Sequence, residues 1–179
     1  MRKLSIPLFV GAALLVPALL QAQEFTWTVS ALGGLGTSID NSGSADLGLQ
    51  VGGALVVDRQ TNIWLRVGTL GFDTGNDQGS LRDADLTYVN IGGEYQFFEG
   101  YYDSGVFLGL GAYNLDATRL GASGSTAVDD TVLGLVLGVS GEFKVTPKFA
   151  FLVEAAGHII DNDDAQVIGT IHAGVAWHF

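Results

Sequence analysis

The chain ends QVIGTIHAGVAWHF, from Gln166 to Phe179. In an extended backbone Val167, Gly169, Ile171, Ala173, Val175, Trp177 and Phe179 fall on one face. Gln166, Ile168, Thr170, His172, Gly174, Ala176 and His178 fall on the other. A period of two marks a strand with one apolar face and one polar or small face. A sandwich in water buries such a strand, and so does a barrel in lipid. The alternation alone leaves both open, and the composition of the rest of the chain decides between them.

The other end has a short basic start, Arg2 and Lys3, and an apolar run from Ile6 to Leu20 that closes on Leu20-Gln21-Ala22. This pattern predicts a secretory signal peptide over residues 1–22 and a single mature domain over 23–179. Pro7 and Pro17 interrupt the run, so it makes a poor membrane-spanning helix. No later stretch is apolar for long enough to span as a helix. If the mature chain sits in a membrane it must be a closed barrel, because lipid satisfies no strand backbone group.

Composition narrows the class. Cysteine is absent, which removes disulfide frameworks, zinc ribbons, haem attachment and thiol redox chemistry. Charged residues are only 15 % and apolar residues 47 %, and after the leader the apolar ones are dispersed rather than blocked. Dispersal at every second position is what a lipid-facing barrel wall requires. The net charge of −11 argues against nucleic acid as a partner.

About eight segments read as strands. They are Phe25–Thr37, Asp46–Val57, Ile63–Phe72, Leu86–Phe97, Gly105–Leu115, Thr131–Lys144, Phe149–Ile160 and the terminal run. In most of them large apolar residues alternate with Gly and polar residues. The fifth admits two registers, and Leu108 and Leu110 outward with Gly109 and Gly111 inward is preferred. Long polar connectors are expected at Ser38–Ala45, Asp73–Asp85 and Asp116–Asp130, and a short polar one at Asp161–Ala165. Tight connectors are expected at Asp58–Asn62, Phe98–Ser104 and Val145–Lys148, the last carrying the turn signal Thr146-Pro147. Aromatic residues gather near the tight-turn ends. Trp27, Tyr95, Phe97, Phe143, Phe149, Trp177 and Phe179 are read as a periplasmic girdle, with Trp64, Phe98, Tyr101 and Tyr102 placed beside them.

Taken together, the leader, the strand rhythm and the terminal Val175-Ala176-Trp177-His178-Phe179 resemble small bacterial outer-membrane barrels of the OmpA transmembrane-domain and OmpX type. The resemblance implies an all-β, eight-stranded antiparallel up-and-down transmembrane barrel with periplasmic termini. It also implies recognition of the C-terminal strand by the barrel-assembly machinery. Outer-membrane lipids and lipopolysaccharide are the expected surroundings, and an extracellular partner is left unnamed. The resemblance implies a membrane scaffold, an adhesion or host-interaction protein or, occasionally in this class, a lipid-modifying enzyme.

Arg66, Glu94, Glu142, Glu154, His158 and His172 all fall on the predicted inner face and form the expected polar lumen network. An eight-stranded interior is just wide enough for side chains to fill, so the network reads as a plug. Ser140, His158 and Glu154 or Glu142 supply the residue types of a hydrolase triad, but no local motif fixes their geometry. The acidic connectors, Asp73, Asp77, Asp83, Asp85, Asp116, Asp129, Asp130, Asp161, Asp163 and Asp164 among them, match no calcium-loop spacing. No catalytic site, metal or cofactor is expected. The expected function is a non-enzymatic structural or surface-interaction barrel with a filled polar lumen. A narrow solute channel and a lipid-modifying enzyme are the alternatives.

Overall fold

The computed structural model describes residues 26–39, 44–75, 80–97, 101–122, 124–161 and 167–179. The expected leader lies outside them, as do Phe25, Asp40, Asp77, Phe98, Asp163, Asp164 and Gln166. The strands are β1 (Trp27–Ser38), β2 (Ala45–Val56), β3 (Thr61–Phe72), β4 (Leu81–Gln96), β5 (Tyr102–Gly121), β6 (Gly124–Thr146), β7 (Phe149–Ile160) and β8 (Val167–His178). Each pairs antiparallel with the next, and β8 pairs with β1 to close an eight-stranded barrel. Closure runs from Thr28 opposite His178 to Ser38 opposite Ile168, and the Phe179 N–H donates to the Trp27 carbonyl at 2.9 Å. Closing the sheet satisfies the strand edges where lipid offers no partner.

Alternation assigns the faces. Val29, Leu49, Val51, Leu65, Ile91, Leu135, Leu137, Val139, Ile171 and Val175 point outward. Leu108 and Leu110 are also outward, 61 % and 62 % exposed, which settles the register of β5. Glycines on the inner face leave room for large neighbours. A Cβ on Gly109 would come within 2.4 Å of the Trp64 ring, one on Gly68 within 2.4 Å of Tyr88, and one on Gly138 within 2.5 Å of Phe107. Large and small inner residues therefore interlock across strands, as a filled barrel needs.

Two expectations are corrected. Trp64 is not in the outer girdle: it shares the parity of Arg66 and points into the lumen, 2 % exposed. The connectors expected at Asp73–Asp85 and Asp116–Asp130 are in large part strand. β4 begins at Leu81, and β5 and β6 continue as one ladder to Gly121 opposite Gly124. Inward Leu115 and Ala117 and partly buried Val128 and Val132 give this extension an apolar face to bury, so it pairs rather than loops out.

Local chemistry shapes the ends. In the β2–β3 turn the Gln60 N–H donates to Asp58 Oδ1 at 2.8 Å, and that bond holds the exposed Asp58 carboxyl below its ordinary range. In the β6–β7 turn Thr146 Oγ1 accepts from the Phe149 N–H at 3.0 Å. At the opposite end β4 carries an irregularity between Arg82 and Asp85. There Asp83 sits at φ 48°, and its N–H donates to Asp73 Oδ1 at 2.9 Å.

Candidate functional site

The lumen has three layers. The middle layer is built by Arg66 on β3. Its Nη2 donates to Glu154 Oε1 at 2.6 Å, and its guanidinium carbon lies 4.3 Å from the Trp64 ring centroid and 4.2 Å from that of Phe107. Trp64 and Phe107 meet edge to face at 5.9 Å. The other carboxylate oxygen, Glu154 Oε2, accepts from Gln50 Nε2 at 2.8 Å, and Gln50 Oε1 accepts from the Tyr88 hydroxyl at 3.0 Å. Arginine suits this place because its flat cation stacks on aromatic faces while donating to a carboxylate.

The layer toward the long-connector end is apolar. Leu70, Phe72, Leu81, Ala84, Leu86, Tyr88, Tyr113, Leu115, Ala117, Ile160 and Ile168 form one buried cluster. Tyr88, Tyr113 and His158 pack at ring separations of 5.2–6.0 Å. This corrects the expectation of a polar lumen: one layer of the interior is a hydrophobic core. Inward parity already marks Leu70, Phe72, Leu86, Leu115 and Ile168, so the signal was present in the sequence.

The layer toward the tight turns and termini is a cavity of about 490 Å³, lined among others by Arg59, Arg66, Glu94, Asp103, Lys144 and His178. Its charges pair locally. Lys144 bonds Asp103, His178 Nε2 lies 3.0 Å from Glu142 Oε1, and Ser140 Oγ donates to Glu94 Oε1. His178 Nδ1 lies 2.9 Å from Thr28 Oγ1, so the last strand is tied to β1 and β6 by one ring.

The six expected lumen residues thus all lie inside but are divided among separate groups. Arg66 and Glu154 form one pair. Glu94 meets Ser140, and Glu142 meets His178. His158 sits between Tyr113 at 3.1 Å and Thr170 at 3.4 Å. His172 is buried, with no hydrogen-bond partner for Nε2 among the described residues. Lys144 and His178, which alternation already places on the inner face, join the lumen network, and so does Asp103, which lies in the segment expected as the tight connector Phe98–Ser104. Ser140 and His158 are engaged with different partners, so the triad geometry is not assembled. Among the described residues no group of His, Asp and Glu is placed to hold a metal ion.

The aromatic side chains of the turn end face outward. Tyr95 packs on Phe97 at 5.4 Å, Tyr102 on Phe143 at 4.6 Å, and Phe149 on Phe151 at 5.6 Å and on Trp177 at 6.3 Å. Trp27 and Phe179 are 48 % and 70 % exposed on the same side. At the opposite end the outer surface turns polar: Leu110 and Ala112 give way to Asn114 and Asp116 on β5, and Leu135 and Leu133 to Thr131 and Asp129 on β6.

A family model, the outer membrane protein beta-barrel domain, matches residues 7–179. The chain belongs to this family. Its place is therefore the bacterial outer membrane. The absence among the described residues of a helix able to cross a membrane has no bearing on a barrel. Among solved structures, Neisserial surface protein A is 15 % identical with a TM-score of 0.64, covering 87 % of this chain and 97 % of that one. A major outer membrane protein from Thermus thermophilus is 12 % identical with a TM-score of 0.66, covering 88 % and 100 %. Ail, the attachment invasion locus protein of Yersinia pestis, is 16 % identical with a TM-score of 0.51, covering 87 % and 97 %. At these identities the likeness carries the fold alone. No curated protein sequence matches the chain.

Proposed function

We propose that this outer-membrane barrel is non-catalytic, has a closed lumen, and serves as a membrane-anchored platform whose working surface is the sheet at its long-connector end. The observation that carries the reading is the filling of the lumen. An Arg66 ion pair held between two aromatic rings is backed by a contiguous cluster of buried apolar side chains, which supports a closed lumen. Single-channel recording in planar bilayers is the test. Conductance is expected to be absent or very small, and steady large openings would make the protein a channel instead. Two structural neighbours, Neisserial surface protein A and the attachment invasion locus protein Ail, are in keeping with a surface role.

In this reading the termini and girdle face the periplasm, the assembly machinery engages β8 through its outward Val175, Trp177 and Phe179, and outer-membrane lipids with lipopolysaccharide surround the wall. Orientation has its own test. Ala122, exposed at the tip of the β5–β6 hairpin, is the probe for the long-connector end. Ala122→Cys on intact cells is expected to react with an impermeant thiol reagent, and Thr146→Cys to react only after lysis. The reverse pattern would invert the topology.

A further inference from the structure

Near the tight turns the lumen is left open by the sequence of two strands. The inner positions there are Thr28 and Ser30 on β1 and Gly52 and Ala54 on β2, all small. The middle layer is filled by Trp64, Arg66 and Phe107, and the layer beyond it by the apolar cluster. The cavity of about 490 Å³ is the space these four residues leave. Its floor is the Arg66–Glu154 pair, and the exposed Arg59 and Pro147 stand at its mouth. A cavity of this size takes a small organic molecule.

Two groups on its wall are unmatched. Four carboxylates line it, and three have a nitrogen partner: Glu154 has Arg66, Asp103 has Lys144 and Glu142 has His178. Glu94 is the exception. Among the described residues no cation lies at ion-pair distance from it, and its side-chain partner is the Ser140 hydroxyl. A carboxylate accepts about four hydrogen bonds, so one hydroxyl leaves most of that capacity to the cavity. The carboxylate is held over Gly105, where a Cβ would lie 2.7 Å from Glu94 Oε1 and 2.9 Å from Ser140 Oγ. The second group is independent of the first. Trp64 also lines the cavity and is 2 % exposed, yet its indole N–H has no acceptor among the described residues. A buried donor without an acceptor is costly. The ring face of Trp64 is already covered by the Arg66 guanidinium, so the N–H is its remaining polar handle.

We infer that this cavity is a binding site for a small aliphatic ammonium compound bearing a hydroxyl group, with the ammonium donating to Glu94 and the hydroxyl oxygen accepting from the Trp64 indole N–H. The spacing suits such a molecule. The Trp64 ring covers Gly92, and Glu94 is the next inner residue on β4, roughly 7 Å further along the strand, the reach of a short carbon chain. A ligand carboxylate would meet Glu94, Glu142 and Asp103 and be repelled. A quaternary ammonium has no N–H to give to Glu94. The inference goes beyond the surface-platform reading and does not rest on it, because the site lies at the other end of the barrel.

The test titrates the mature protein, folded in zwitterionic nanodiscs, with 3-amino-1-propanol, n-propylamine, tetramethylammonium and propionate at matched ionic strength. NMR follows the backbone amides of Glu94, Gly105 and Ser140 and the indole N–H of Trp64, which Trp64→Phe assigns. Aminopropanol is expected to shift all four resonances and to saturate in the millimolar range. Propylamine should bind more weakly and leave the indole resonance in place. Tetramethylammonium and propionate should not bind. Glu94→Gln should weaken aminopropanol about tenfold or more, the scale of one charge-assisted hydrogen bond. Glu142→Gln should leave its affinity unchanged, since Glu142 is already engaged by His178. The variants are compared after heat-modifiable gel mobility shows a folded barrel, and the tetramethylammonium and propionate titrations make the same point on unaltered protein. No saturable shift with aminopropanol would overturn the site. Equal binding of propionate or tetramethylammonium, or an equal loss in Glu142→Gln and Glu94→Gln, would overturn the role of Glu94. Propylamine matching aminopropanol in affinity would overturn the role of the Trp64 N–H. A large conductance would remove the closed-lumen reading and leave these results standing.

Discussion

Arg66→Ala is expected to destabilise the folded barrel by about 3–5 kcal/mol, the usual result of stripping one partner from a buried ion pair. Glu154 would keep its bond from Gln50 but lose the cation 2.6 Å away, and Trp64 and Phe107 would face a hole where the guanidinium was stacked. The buried charge supplies most of the loss, and a companion variant shows it. Arg66→Met combined with Glu154→Leu removes both charges and refills the volume, so it should recover to within about 1 kcal/mol of the wild type. Urea unfolding in lipid vesicles, followed by tryptophan fluorescence, measures both. A loss below about 1 kcal/mol in Arg66→Ala would mean that Arg66 is solvated and the plug does not exist.

A second large effect is expected at Gly109. A Cβ there would lie 2.4 Å from the Trp64 ring and 2.7 Å from the Ile91 carbonyl oxygen, so Gly109→Val must displace both a buried indole and the neighbouring backbone. The loss should reach about 3 kcal/mol or more, the upper end for an overpacked core, and the folded band on unheated gels should fall. Gly53→Val is the control. Its Cβ would meet nothing nearer than the Thr28 carbonyl oxygen at 3.9 Å, and valine suits a strand position. Comparable damage from the two variants would show that loss of glycine from a strand, not the Trp64 contact, is responsible.

These two sites show where sequence reading reached and where it stopped. Arg66 and Glu154 were both legible as inward residues, because a charge on the lipid face is costly and parity leaves one alternative. That Arg66 pairs with Glu154 rather than Glu94 or Glu142 was not legible. Parity assigns a face, and the choice among three inward carboxylates depends on strand stagger and tilt. Trp64 lies close to a turn, where outward aromatic residues gather, yet it alternates in step with Arg66, and parity is what sets its inward direction. The hairpin beyond Leu115 reads as a connector in the sequence because Asp116, Asp129 and Asp130 are typical loop residues. The beat Tyr113, Leu115, Ala117 continues through that stretch and was the available signal. Charged residues are tolerated there since the outer face has already left the lipid.

By itself, the sequence determined the strand count, the inner and outer faces of seven strands, and the aromatic side chains gathered near the tight turns. All of these follow from a period of two combined with a solvent that forbids unpaired backbone and outward charge. Only the tertiary structure decided that an apolar layer lies beside the charged ones in the lumen, which carboxylate neutralises Arg66, and that β5 and β6 pair on past the last β6–β7 pair at Gly134 and Ile160. Those outcomes depend on the relative stagger of neighbouring strands, a property of pairs that no single strand's alternation encodes.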